Sequence, residues 1–262
     1  MTDQSEEVGY RVLDRVAYVT IDRPQRRNSL SLAVMARLVE IFAEVNIDDE
    51  IWAVLLTGAG DKAFCAGADL KELDDRARAG IRFVPPMAGP ERNLFETVLE
   101  TYKPVVAAVN GPCLAGGAEL ALACDLRIAA EHAFLGLPEA KRGMGANFAS
   151  VILPRLIPRA IALEMLYMGE PIQAAEAQRL GLYNRVVPAA ALADEAERYV
   201  RGIVANAPLT LRRYKEMVTK GWELPVATAL RLSVGPNPYL SEDREEGIRA
   251  FVEKRAPKWS GR

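Results

Sequence analysis

The chain has 262 residues, half of them hydrophobic and 26% charged, as in a soluble globular protein that can bury a sizeable core. Its 33 basic and 35 acidic residues leave a formal charge of −2, so no bulk attraction to nucleic acid or an anionic membrane is expected. One histidine, His132, and three scattered cysteines, Cys65, Cys113 and Cys124, argue against a metal site or a disulfide framework and for a reducing, cytoplasmic setting.

The first ten residues are acidic and polar, unlike a signal or transit peptide, and no apolar run approaches membrane-spanning length. Residues 8–22 alternate in a way that predicts two short strands joined near Asp14 and Arg15. A turn over 23–28 follows. Ser31 can cap a helix over about 32–46, where Leu32, Met35, Leu38, Val39, Phe42 and Val45 make one apolar face. Residues 51–57 read as a buried strand that ends in a glycine loop leading to 64–70. The stretch 74–90 is charged, then rich in proline and glycine, which predicts an irregular loop over the site.

A helix over about 91–101 and a strand over 104–109 lead to the turn Asn110, Gly111, Pro112. Gly116 and Gly117 then open an apolar helical stretch carrying Glu119. A strand over 125–130 precedes a second carboxylate, Glu139, which follows a proline. Beyond it, 147–156, 158–168, 173–180, 189–205, 208–219, 224–233 and 241–253 all read as helices, and only 183–187 looks like a strand. The expected fold class is α/β: a core domain over 1–190 with a helical C-terminal region over 191–262.

The turns at 65–70 and 115–119 both place small residues around glycine directly after a buried strand, where a ligand can approach the backbone closely. From neighbouring strands, the N–H groups of Ala68 and Gly116 could converge on one oxygen as an oxyanion hole. Either turn alone is a weak signal, more often just a turn. Glu119 lies one helical turn after Gly116 among Ala118, Leu120, Ala121, Leu122 and Ala123, a setting that buries a carboxylate; its other reading is a solvated helix residue. Glu139 could simply be a carboxylate favoured by a helix dipole.

The stretches RPQRRNSL (23–30), CAGADLKEL (65–73), NGPCLAGGAELALACDLRIA (110–129) and LGLPEAKRG (135–143) resemble the enoyl-CoA hydratase/isomerase family, the crotonase superfamily. RLGLYNRVV (179–187) and SEDREEGIRAFVEKRAPKW (241–259) do so as well, so the resemblance covers nearly the whole chain. It implies a crotonase-like superhelix of β-β-α turns whose helical C-terminal region builds homotrimers, often paired into homohexamers. It implies an acyl thioester of coenzyme A as substrate, with no cofactor beyond the coenzyme A that the substrate brings. It places the oxyanion donors on Ala68 and Gly116, and the two catalytic acids of a hydratase on Glu119 and Glu139. The adenine of coenzyme A falls near the backbone of Ala66, Ala68, Asp69, Leu70 and Lys71, with Arg26 or Arg27 toward the phosphates. Phe251 and Lys254 fall where a C-terminal helix can meet coenzyme A across subunits. In a plain reading these last are solvated arginines, a helix staple and a surface lysine.

Both acids are present, which favours hydration of a 2-enoyl-CoA to a 3-hydroxyacyl-CoA over an isomerase or a dehydratase of a specialised acyl-CoA. Asn147 and Phe148 stand in the stretch 144–150, where the family more often has small residues, and this bears on the acyl group rather than the reaction. A non-catalytic, RNA-binding role fits neither the near-zero charge nor the paired glutamates.

Overall fold

The computed structural model describes residues 7–82, 84 and 91–262. Asp14 and Arg15 both take positive φ, 46° and 70°, and so make the two-residue turn that suits a twisted hairpin. It joins β1 (Val8–Leu13) to β2 (Val16–Ile21) in antiparallel register. From β2 onward every neighbour in this sheet is parallel. β3 (Ala53–Gly58), β4 (Val105–Val109), β6 (Leu126–Ala130) and β9 (Arg185–Val187) complete the order β1-β2-β3-β4-β6-β9. β4 is buried along its whole length, as its run of valine and alanine demands.

β2, β3, β4 and β6 each begin a similar turn of chain: a strand, a short bridging piece and a helix or helical turn. β2 leads through Leu30 to α1 (Leu32–Ile47), and β3 leads through Cys65 and Ala68 to α2 (Leu70–Arg78). Beyond α3 (Leu94–Leu99), β4 leads through β5 (Cys113–Leu114) to α4 (Gly116–Ala123). β6 leads through β7 (Phe134–Gly136) to a short 3₁₀ turn, Pro138–Arg142. The bridging pieces pair with one another, Leu30 with Ala68, Cys65 with Cys113, and β5 with β7. This is the expected β-β-α superhelix, and it stacks the four bridging turns side by side.

α1 buries Val34, Leu38, Ile41, Phe42 and Val45, whereas Leu32 is exposed. Met35 and Val39 pack half-buried against the same core, so the predicted face holds except at Leu32 and is widened by Val34 and Ile41. Ser31 caps the helix by accepting from the Val34 amide at 3.2 Å. After α5 (Asn147–Leu156), α6 (Arg159–Met168), β8 (Ile172–Gln173) and α7 (Ala174–Arg179), α8 (Leu192–Val204) lies across the other face of the sheet. There Leu192 and Ala196 pack with Val106, Ala108, Ile128 and Ala130. Thus the first helix after residue 190 covers the sheet. α9 (Pro208–Gly221) is tied to the core by Lys215, whose ammonium reaches Asp125 at 2.7 Å.

Three local expectations are corrected. Residues 74–78 are helical, not irregular: Asp69 caps α2, and Asp74 pairs with Arg78 at 2.7 Å. Ala79 and Gly80, the latter at φ 70°, turn the chain out of α2, and residues 83 and 85–90 of the expected loop lie outside the described residues. In place of a helix over 224–233 there is only α10 (Val226–Ala229). The Arg213 guanidinium takes the carbonyls of Leu232 and Val234, which holds the following segment open. β8, finally, pairs antiparallel with β7 where a helix start was expected. α11 (Glu242–Glu253) ends the regular structure.

Candidate active site

The Cys65–Cys113 bridge brings the two glycine turns into contact, with the Leu114 amide donating to the Cys65 carbonyl at 3.0 Å. The approach is so close that a Cβ on Gly117 would lie 2.2 Å from that carbonyl oxygen. Gly67 has φ +88°, and a Cβ there would meet Ala115 Cβ at 2.7 Å and the Gly116 nitrogen at 3.0 Å. Both positions therefore require glycine.

The bridge between Leu30 and Ala68 uses the Leu30 amide to the Gly67 carbonyl (2.8 Å) and the Asp69 amide to the Leu30 carbonyl (3.0 Å). In a parallel bridge the residue between these two bonds turns its own N–H away from the partner. Ala68 is that residue. Gly116 is the first residue of α4, whose opening N–H groups have no partner within the helix. Among the described residues neither amide has an acceptor in the chain. Ala115, just before, is a non-glycine residue at φ 52°, ψ −129°, a strained conformation at the point where the helix is aimed.

Glu119 sits on the first turn of α4 and is 6% exposed. The Ala149 amide, in the first turn of α5, donates to its Oε1 at 2.9 Å. Burial pushes the Glu119 pKa up to about 7. The Ala149 and Phe148 amides oppose that shift, and the nearby charge of Glu139 adds to it. Glu139, in the Pro138–Arg142 turn, is equally buried, and its Oε2 has no hydrogen-bond partner among the described residues. Burial raises its pKa too, against its own amide and Arg142. The fold thus brings two hard-to-ionise carboxyls within electrostatic reach of each other, one of them a single turn from an amide without an acceptor among the described residues.

Two aromatic rings complete the wall. Phe95 Cζ lies 3.5 Å from the point where a Gly116 Cβ would stand, and its ring centroid is 5.6 Å from that of Phe148. These contacts join residues far apart in the chain, and no spacing announces them. Asn147 is exposed, so of the two unusual residues in that stretch Phe148 is the one built into the wall.

The family model described as enoyl-CoA hydratase/isomerase matches residues 12–262. The chain belongs to that family. It is 41% identical over 260 residues to (E)-benzylidenesuccinyl-CoA hydratase of Thauera aromatica, with 97% of this chain and 99% of that protein covered. It is 38% identical to carnitinyl-CoA dehydratase of Citrobacter koseri, over 98% of this chain and all of that one. The crystal structure of an enoyl-CoA hydratase from Bacillus anthracis superposes with a TM-score of 0.88 at 36% identity, over 98% of this chain and 100% of that one. The protein is accordingly an enzyme of the hydratase-like lyase type with the crotonase fold.

In this family member the segments expected near coenzyme A are partly assembled within one chain. The Ala66 amide donates to the Arg27 carbonyl at 3.1 Å, which sets the exposed Arg26 and Arg27 beside Ala66. Leu70 and Lys71 are exposed at the start of α2. Asp69 is different. Its carboxylate caps α2 by accepting from the Glu72 amide (3.2 Å) and pairs with Arg23 (3.0 Å), so its side chain is committed to the fold. Phe251 is 85% exposed on α11, and Lys254 is the C-cap of that helix. α11 packs on the Pro238–Leu240 turn and on the tail at Ser260 and Gly261. The three cysteines are buried and free, with burial raising the thiols of Cys65 and Cys124 to about 12, while His132 is exposed.

Proposed function

We propose that the protein is an enoyl-CoA hydratase, adding water reversibly to a 2-enoyl-CoA to give a 3-hydroxyacyl-CoA. The observation that carries this reading is the pair of buried glutamates, Glu119 and Glu139, both with raised pKa, beside two backbone amides without acceptors among the described residues.

In this reading the thioester oxygen accepts from the Ala68 and Gly116 amides, each worth ~2.7–4 kcal/mol once negative charge develops there. Glu119, ionised, removes a proton from water as its oxygen bonds to C3. The C2–C3 π pair moves toward the thioester as an enolate, and Glu139 delivers its proton to C2. One acid gains a proton and the other loses one, so exchange between them resets the site. Every step is a proton transfer or an addition, so coenzyme A, arriving with the substrate, is the only group the scheme requires. The roles of base and acid follow the family resemblance: burial raises the pKa of both carboxyls, and the Ala149 amide fixes the Glu119 carboxylate in place.

A second reading keeps this site and changes the acyl group. The relatives named for benzylidenesuccinyl-CoA and carnitinyl-CoA, together with the Phe95–Phe148 wall, favour a specialised acyl-CoA acted on as hydratase or dehydratase. We assign the backbone of Ala66, Ala68 and 69–71, with Arg27, to coenzyme A. We assign Phe251 and Lys254 to the same ligand from a neighbouring subunit of a homotrimer or homohexamer. The exposed Tyr214, Val218, Trp222, Leu230, Leu240 and Phe251 support an apolar interface there. Among the described residues no helix is long and apolar enough to cross a membrane, and the three free cysteines fit a cytoplasmic enzyme.

Mass spectrometry of the product formed from crotonyl-CoA in H₂¹⁸O tests the reaction. One heavy oxygen at C3 is expected. A product with no solvent oxygen, carrying only a shifted double bond, would replace hydration with isomerisation.

A further inference from the structure

Arg23 is a buried guanidinium, 8% exposed, two residues after β2, and it is not among the reacting groups proposed above. Its Nη2 bonds Asp69 Oδ2 at 3.0 Å, its Nη1 donates to the Ser29 carbonyl at 2.7 Å and to Ser29 Oγ at 3.2 Å, and its Nε pairs with Glu7 at 2.9 Å. Ser29 immediately precedes Leu30, and Asp69 immediately follows Ala68. The guanidinium therefore grips both chains of the Leu30–Ala68 bridge, one residue from each bridging position. Ser29 Oγ reaches the same Asp69 oxygen at 3.4 Å, and Asp69 itself is 8% exposed. Burial works against the Asp69 charge, yet the Glu72 amide and Arg23 hold its pKa below the usual carboxylate range. Asn28, fully buried, braces the same loop from the other side, donating to the Ala59 and Ala63 carbonyls at 2.9 and 2.8 Å.

We propose that Arg23 and Asp69 are positioning residues for catalysis: their ion pair fixes the register of the Leu30–Ala68 bridge and thereby aims the Ala68 N–H at the thioester oxygen. This rests on the oxyanion reading of Ala68 given above. A planar fork is suited to the task, because it holds a carboxylate and a carbonyl at once in fixed directions. A lysine would hold one at a time.

The test is the carbonyl stretch of enzyme-bound butyryl-CoA, carrying ¹³C at the thioester carbon, read by difference infrared spectroscopy at saturation. A saturated thioester cannot be hydrated, so the readout does not depend on the reaction assigned. In wild type the stretch is shifted down by the two amides. In Asp69→Asn, which keeps the shape and removes the charge, a large part of that shift is lost. Its kcat on crotonyl-CoA falls by about 100-fold, the cost of a ~1 Å misplacement. Arg23→Lys carries the same test if the asparagine variant does not fold. Arg23→Ala should regain turnover on adding guanidinium chloride at sub-denaturing concentration.

If the variants melt earlier but bind the thioester with the wild-type stretch and turn over at the wild-type kcat, the pair is structural and the proposal is wrong. A wild type with a shifted carbonyl but no hydration would sink the hydratase reading and leave the clamp standing. A wild type with no shift would overturn both the oxyanion site and its clamp.

Discussion

Glu119 is held where its charge is resisted, and this has consequences for both activity and stability. A glutamate ionises near 4.5 in an open chain, but burial moves Glu119 to about 7. Folding therefore favours the protonated acid. Its full contribution is present below pH 4.5 and is lost as pH rises through about 7, so at pH 8 the charged group costs stability on the order of 3 kcal/mol. Glu119→Gln retains an oxygen for the Ala149 amide and should melt above wild type at pH 8. That advantage should shrink toward pH 5 when melting is followed by circular dichroism. The same shift fixes the acid limb of the rate profile: kcat/KM should fall tenfold per pH unit below about 7 as the base is protonated. A profile flat to pH 5 would remove Glu119 from the role of base.

At the scale of elements, the site depends on two short turns touching through glycine. Gly117→Ala forces a Cβ to within 2.2 Å of the Cys65 carbonyl, which neither chain can yield without separating the turns. We expect a loss of several kcal/mol, about the upper range for single substitutions, with turnover lost as well, measured by urea unfolding and by assay. Gly116 is more permissive: a Cβ there meets only ordinary contacts, and proline is tolerated at a first helical position. The double variant Ala115→Gly/Gly116→Pro relaxes the residue before the ring and deletes one N–H. It should keep its helical spectrum while kcat drops roughly 10²–10³-fold. The glycine turns and the burial of Glu119 were legible from the small and apolar residues around them, whereas Glu139 stood out only through the family resemblance. The brace on Glu119 from the Ala149 amide was not legible, nor was the Arg23–Asp69 grip, because each joins residues that only the superhelix brings together. β5, β7 and β8 are two or three residues long, too short to show a period, so the bridging half of each turn was invisible.

At the scale of the molecule, the alternation of strand and helix up to Glu139 made the α/β core readable, and the run of helices after it was readable as well. What those helices cover was not. α8 reads like its successors, yet Leu192, Ala196 and Val200 bury themselves on the sheet, while α9 to α11 leave large apolar side chains in solvent. We expect light scattering to give the mass of three or six copies of the 28.7 kDa chain. Leu240→Glu combined with Phe251→Glu should yield monomers with weakened coenzyme A binding, since Phe251 is assigned to a neighbour's ligand. A wild-type monomer with full activity would instead confine the whole site to one chain.

The central claim is that two glutamates share one hydration. It is tested most directly by the loss of the conjugated enoyl-thioester absorbance of crotonyl-CoA, with wild type, Glu119→Gln and Glu139→Gln side by side. Rapid loss in wild type, and a fall of 10²–10⁴-fold in both folded variants, is the predicted result. If either variant keeps wild-type turnover, the two-acid mechanism is contradicted. If the folded wild type leaves crotonyl-CoA unchanged while binding it, the site works on a different acyl group, and the Phe95–Phe148 wall becomes the first feature to alter.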